Sequence, residues 1–425
     1  MSFDSAAEYR SHLAREALLP RGFHYFVTSL TFVPAERPDA GEASMNLAVI
    51  ESEPGAVTVG VTTGNRFCGA PVQLARERLP AAGVRAVVVN NKVANVATLT
   101  GLDDARTVAA ALARERRVPE EETLSVSTGV IGWRLPTERM VAAVRGISRS
   151  ERGPVDVAEA IMTTDRYPKV AWERRHGVTC LGVAKGAGMI EPNLATMLGF
   201  IMCDAQVERD RLDRVFRRVV DRTFNTISVD GDQSTSDMVL CTSNGASESE
   251  VSEEELEALL LPVCRTLAQE IVRNGEGTTH VIEVRVRGVE DRLLSQRVGR
   301  HVANSPLVKT AVFGNDPNVG RILAAVGDAL DTWDTECAVD GAALTVTIAG
   351  RRVYHEGSFR LDGAVERELA EYLRSAAMDP ARSGYPQEAP NVPIVLSFGE
   401  LGEETVVFGS DLSYEYVREN ADYRT

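Results

Sequence analysis

The spacing of apolar positions changes several times along the chain, and each change predicts a new element. Between residues 23 and 60 apolar and polar side chains alternate in "FHYFVTSLTFV" and "MNLAVIES", the period-two signature of strands, with the polar loop "PAERPDAGEA" between them. Residues 5–18 and "APVQLARERL" carry helical spacing, and "VRAVVVNN" reads as a strand. "LDDARTVAAALARER" repeats apolar residues at helical intervals after an acidic start and predicts a helix. "TLSVSTGVIG" reads as a strand running into a turn, and residues 136–147 and 154–162 read as helices. Further on, "FIMCDAQV" and "SDMVLCTSNG" predict strands on either side of the amphipathic "ERDRLDRVFRRVVDRTFNTI". "SEEELEALLLPVCRTLAQEIVRNG" has Ser-x-x-Glu at its start and Gly at its end, the terminal signals of a long helix. The remainder predicts the strand "HVIEVRVRGV", two helices joined by a turn in "LVKTAVFGNDPNVGRILAAVGDA", and short strands over 336–360. It ends with the helix "GAVERELAEYLRSAA" and the strands "VPIVLSFG" and "ETVVFGSDL". Strands and helices in mixed order predict a layered α/β fold.

Composition narrows the class. A chain of 425 residues is long enough for about two or three layered units. The apolar runs at 82–89 and 197–203 stay well short of the ~18 residues a membrane span needs, and the charged N-terminal stretch does not resemble a secretory signal. A net charge of −15 argues against a nucleic-acid partner, because phosphate binding wants a basic surface. The six cysteines are scattered with no CxxC pair, which predicts reduced core residues of a cytoplasmic protein. The six histidines form no HxxxH or HxH pair, so no zinc site and no cofactor are expected. Lysine is scarce: Lys92, Lys169, Lys185 and Lys309 are all there are, so lysine is not surface filler and each has its own reason to be present.

Candidate chemistry centres on "KGAGMIEPNLATML", residues 185–198. Gly186 and Gly188 begin a dinucleotide fingerprint, but Glu191 occupies its third glycine position. Thr196 then has two readings. It is a helix N-cap, or it is a nucleophile that needs a base beside it. An N-terminal threonine carries its own base, the α-amine, whose ordinary pKa of about 7.7–8.0 suits neutral pH. For Thr196 that requires cutting the chain after Ala195, with strain in the glycine-punctuated approach helping Oγ attack the preceding carbonyl. The reaction needs an oxyanion hole, and Thr128 and Gly129 at the end of the strand in "SVSTGVIG" can supply one. Asp230, Asp232 and Asp237 in "SVDGDQSTSD" imitate a calcium loop, but the Gly and Glu of that motif are misplaced, so the segment reads as a structural turn.

Nine stretches in order resemble the ornithine acetyltransferase (glutamate N-acetyltransferase) family over nearly the whole chain. They are "NRFCGAPVQLARE", "VVVNNKVANVATLTG", "STGVIG", "AIMTTD", "KGAGMIEPNLATML", "RTFNTISVDGDQSTSD", "NGEGTTHVIEV", "SPLVKTAVFGNDPNVGRIL" and "DLSYEYVRENADYRT". The resemblance implies a layered α-β-β-α sandwich with a smaller α/β C-terminal lobe at about 285–410. It implies self-cleavage between Ala195 and Thr196 into an α chain (1–195) and a β chain (196–425), whose tail, 411–425, returns to the active site. Thr196 would take acetyl from N-acetylornithine and pass it to glutamate through an acetyl-threonine ester, without acetyl-CoA in the main cycle. The oxyanion hole maps onto Thr128 and Gly129, and substrate contacts onto Thr163, Thr164, Lys185, Thr196, Glu276, Asn420 and Thr425. An α2β2 assembly is implied, with small-molecule amino-acid substrates and neither nucleic acid nor membrane as partner.

The chain also departs from the family pattern. Its first strand region has no lysine, Val319 stands where "NDPNWG" has tryptophan, and Glu191 replaces the Ala or His before the proline. The acidic "EP" is similar to paralogues from antibiotic-biosynthesis clusters, which makes Glu191 a candidate specificity residue and keeps a different acyl donor or acceptor open. A hydrolase of the same architecture, with water as acceptor, is the other enzyme reading, and an unprocessed, non-catalytic relative is the alternative to both.

Overall fold

The computed structural model describes residues 3–79, 83–149, 151–191, 197–334, 339–399 and 402–422. Two five-stranded sheets face each other. The first runs Thr123–Ser127, Ala86–Asn90, Ala43–Ser52, Phe23–Phe32, Glu151–Arg152. The second runs Val57–Thr62, Met238–Ser243, Leu198–Cys203, Val178–Lys185, Lys169–Arg175. Alternation along each strand sends one set of side chains inward: Ile50, Val87, Val89 and Val126 meet Leu181, Val183, Phe200 and Leu240 between the sheets. The outer face of the first sheet packs Leu47, Val49 and Val88 against the helices Gly101–Arg116 and Thr137–Val144. The outer face of the second packs Ile201, Val239 and Cys241 against the helices Arg209–Asp221 and Glu253–Arg273. This is an α-β-β-α sandwich, and strands covered on both faces read as unbroken apolar runs such as "AVVVN" and "LGFIMC".

The helix Glu253–Arg273 starts as its sequence predicts. Ser252 Oγ accepts from Glu255 N at 3.2 Å while Glu255 Oε2 accepts from Ser252 N at 2.9 Å. Cys180, Cys203, Cys241 and Cys264 are buried free thiols in the core around this helix. Among the described residues no helix is long and apolar enough to cross a membrane.

A third, seven-stranded sheet forms the C-terminal lobe, in the order Ile227–Ser228, Thr405–Ser410, Val281–Arg287, Val392–Ser397, Thr345–Ile348, Arg351–His355, Ser358–Phe359. The helices Arg292–Asn304, Val319–Trp333 and Gly363–Ala376 pack with it around Val284, Val298, Val326 and Leu396. Ile227, Val281 and Phe408 join the sandwich core, so the lobe is fused to the body through its own edge. The edge strand Glu151–Arg152, the hairpin Lys169–Arg175/Val178–Lys185, the helix Arg292–Asn304 and the helix Tyr414–Ala421 have no counterpart in the pattern reading. The hairpin turns on His176 (φ 50°) and Gly177 (φ 79°), a two-residue left-handed turn whose His-Gly signal lies inside a charged run.

Candidate active site

Two strand ends build the first wall. The strand Thr123–Ser127 stops where Thr128 N donates to Asn90 O at 3.1 Å, and Val130 N donates to Lys92 O at 2.9 Å. Between them Gly129 takes φ +124°, and a Cβ there would lie 2.3 Å from the Lys92 carbonyl, so the turn needs glycine on two counts. Opposite, Lys185 ends the strand Val178–Lys185, paired in register with Leu198. Its Nζ donates to Thr128 Oγ1 at 3.2 Å. A hydroxyl that accepts from an ammonium keeps its own hydrogen to donate into the cavity.

The segment after the helix Pro154–Ala160 builds the second wall. Thr163 and Thr164 line the cavity, while the next residue turns inward. Asp165 accepts from Thr163 N at 3.0 Å, Gly186 N at 2.7 Å and Lys169 Nζ at 2.6 Å. Both charged side chains of that pair are fully buried. Burial works to raise the Asp165 carboxyl, but the ammoniums of Lys169 and Lys185 and the two hydrogen bonds outweigh it and hold the group well below the carboxylate range. Lys169 also donates to Asn274 Oδ1 at 2.7 Å.

Asn274 opens "NGEGTT", which carries Glu276. Glu276 N donates to Ala187 O at 2.8 Å, and the Glu276 carboxylate lies over Gly188, where a Cβ would meet it at 2.3–2.6 Å. Asn420 Nδ2, from the helix Tyr414–Ala421, donates to Glu276 Oε2 at 3.0 Å. Arg166 Nη2 pairs with Glu419 Oε1 at 2.6 Å, a second tie between that helix and the wall.

The approach to the candidate scissile bond is held from below. Met189 N and Ile190 N donate to Asp230 at 2.6 and 2.7 Å, and burial pushes that carboxyl up despite the bonds it accepts. Asp230 therefore serves a backbone turn, as the reading of "SVDGDQSTSD" expects. Glu191 accepts from Ser228 Oγ at 2.7 Å and from Asn304 Nδ2. Its side chain is engaged at the junction with the C-terminal lobe and is not among the residues lining the cavity. Nearby, Lys309 donates to Val229 O at 2.6 Å and Ser410 O at 2.7 Å, and its burial lowers its pKa to about 8.

These walls enclose a cavity of about 390 Å³. Thr128, Gly129, Thr163, Thr164, Lys185, Glu276 and Asn420 all line it, brought together from separate stretches of the chain. Ala195, Thr196 and Thr425 lie outside the described residues; Met197, which follows Thr196, is buried beside this site, its carbonyl accepting from Met238 N at 2.9 Å. Ile131, Met189 and Ser234–Ser236 also line the cavity and were not singled out from sequence.

A cavity of mixed polarity that carries a lysine and a glutamate, set at strand ends of an α-β-β-α sandwich, is the candidate active site. Comparison with known proteins makes the class specific. The chain matches the ArgJ family over residues 37–425 and belongs to it; it is an ornithine acetyltransferase-like enzyme. The arginine biosynthesis bifunctional protein ArgJ of Nitratidesulfovibrio vulgaris is 38% identical over 423 residues, covering 96% of this chain and 99% of its own. The glutamate N-acetyltransferase Oat2 of Streptomyces clavuligerus is 38% identical over 411 residues, covering 96% and 98%. The solved arginine biosynthesis bifunctional protein ArgJ of Bacillus halodurans is 31% identical, with a TM-score of 0.46, covering 53% of this chain and 98% of that one.

Proposed function

We propose that this protein transfers an acetyl group from N-acetylornithine to glutamate, using Thr196 as nucleophile after self-cleavage at Ala195–Thr196. The observation that carries the reading is the convergence of Thr128, Gly129, Thr163, Thr164, Lys185, Glu276 and Asn420 on one cavity. Relatives named glutamate N-acetyltransferase support the same reaction.

The chemistry follows from the groups on the walls. Thr196 Oγ attacks the acetyl carbonyl, and its proton passes to the Thr196 α-amine. The oxyanion meets the Thr128 hydroxyl and the Gly129 N–H. The carbon–nitrogen bond breaks, the ornithine amine leaves with the proton, and acetyl remains as an ester on Oγ. The glutamate amine then attacks the ester through the same oxyanion and gives its proton, by way of the α-amine, to the departing Oγ. Lys185 suits a substrate carboxylate, and Glu276 with Thr163 and Thr164 suits an ammonium and its neighbours. Because Glu191 is engaged away from the cavity, the usual donor and acceptor pair is favoured over a different one.

Two measurements test the proposal. A denaturing gel of the purified protein should show two bands near half of 46.1 kDa, and Thr196→Ala a single band at 46.1 kDa. Transfer from N-acetylornithine to glutamate should accompany cleavage and vanish in the variant. Release of free acetate at the same rate without glutamate would instead establish a hydrolase.

A further inference from the structure

The Asp165–Lys169 pair is buried beneath the cavity rather than in it, and nothing in the proposed chemistry uses it. Its hydrogen bonds end on one cavity-lining residue, Thr163, and on Gly186 and Asn274, which lie within two residues of the lining Lys185 and Glu276. Asp165 takes Thr163 N at 3.0 Å, which fixes the turn bearing Thr163 and Thr164. It takes Gly186 N at 2.7 Å, immediately after Lys185. Lys169 Nζ reaches Asn274 Oδ1 at 2.7 Å, two residues before Glu276. The same Asn274 oxygen accepts from Arg166 N at 3.1 Å, and Arg166 itself pairs with Glu419, one residue before Asn420. One buried ion pair is thus bonded directly to the segments that carry Thr163 and Thr164, Lys185, and Glu276, and through Asn274 and Arg166 to the neighbour of Asn420.

Burying two charges is costly, and a well-packed apolar pair of similar volume stabilises a fold at least as well. What an apolar pair cannot do is accept from two backbone N–H groups on different segments while a third segment accepts from its cation. The geometry also has no slack. The three segments come from a helix–strand connection, a strand end and a helix–strand connection far apart in sequence. The two side chains bond to all three only together. Among the described residues the Asn274 Nδ2 atom has no hydrogen-bond partner, while its oxygen accepts two.

We propose that Asp165 and Lys169 are positioning residues that set the spacing between Lys185 and Glu276, and with it the recognition of an amino acid carrying both a carboxylate and an ammonium. The inference rests on the proposed function, because that reading supplies the substrate class.

The test is direct binding. L-glutamate alone cannot turn over, so its Kd on the wild-type protein can be measured by calorimetry. The double variant Asp165→Asn/Lys169→Met removes both charges of the buried pair together, and with them the carboxylate near Lys185. Its Kd for glutamate should rise by about tenfold or more, the scale expected when charge-assisted contacts lose alignment, with the folded circular-dichroism spectrum retained. If that variant does not fold, Asn274→Leu decides. It keeps the ion pair but removes the acceptor that Lys169 and Arg166 share, and it should weaken glutamate binding in the same direction. A steady-state assay should show KM rising more than kcat falls, since no group is taken from the reacting atoms. A folded variant with the wild-type Kd overturns the inference alone. A wild-type protein that binds neither glutamate nor N-acetylornithine overturns the proposed function together with it.

Discussion

Replacing Gly129 by alanine is the sharpest probe of the proposed oxyanion hole. A Cβ at this position lies 2.3 Å from the Lys92 carbonyl carbon and oxygen, where ordinary contact begins near 3.4 Å. Those atoms are backbone, and they accept from Val130 N, so they cannot rotate away as a side chain would. The turn must therefore shift by about 1 Å, and a displacement of that size in a reacting geometry costs about a hundredfold in rate. Complete loss of one oxyanion donor costs about 10²–10³-fold in kcat, so both routes predict the same range. Gly132→Ala is the matched control. Gly132 has φ +88° in the same turn, but a Cβ there meets nothing within 4 Å. It should cost stability through its backbone conformation while kcat changes by less than about threefold. The assay is acetyl transfer at saturating substrate, with a denaturing gel to score processing in each variant. If Gly129→Ala folds, is processed and turns over within about threefold of the control, Gly129 contributes no catalytic donor.

Three further outcomes follow from the site. Glu276→Gln keeps an acceptor for Asn420 but loses the charge, so KM for the amine-bearing substrate should rise by about 10- to 100-fold; an unchanged KM would remove Glu276 from substrate binding. Glu191→Gln should leave KM for both substrates unchanged, because the side chain bonds Ser228 and Asn304 away from the cavity; a changed substrate preference would restore it as a specificity residue. Lys309 loses its proton near pH 8 when folded and near 10.5 when unfolded, so between those values the unfolded chain binds more protons and stability rises with pH. Relative to Lys309→Met, wild-type stability should therefore be flat below that window and climb through it in denaturant titrations, and a pH-independent difference would mean that the burial cost is not felt.

The sheets were legible because strands buried on both faces leave short unbroken apolar runs rich in β-branched residues, such as "AVVVN". The cavity lining was legible for a different reason: Thr128, Lys185 and Glu276 sit in short motifs whose order along the chain is specific. Lysine scarcity was a real signal. Lys169, Lys185 and Lys309 are all buried, each bonded to groups on other segments. What it could not convey was the distant partner: Asp165 lies four residues before Lys169, but Asn274 meets it only through tertiary folding. Glu191 shows the same limit: it lies close to Thr196 in sequence, and its bonds to Ser228 and Asn304 depend on the docking of the helix Arg292–Asn304. The hairpin ending in Lys185 escaped the pattern reading because its exposed half, "ERRHG", has the composition of a loop.

The strands Val178–Lys185 and Leu198–Cys203 lie side by side in the middle of the second sheet, and the proposed cut falls in the segment that joins them. Cleavage there would leave two polypeptides sharing one sheet, with every ladder hydrogen bond between them intact. The native body would barely register the change. Its unfolded state would register it strongly, because two separate chains gain translational freedom that one chain lacks. Unfolding of the processed protein should then depend on protein concentration, and recovery after dilution from denaturant should be slower the more dilute the sample. The uncut chain would show neither effect. Such an enzyme is assembled once, as a single molecule, and afterwards holds together as a complex that formed before its parts existed.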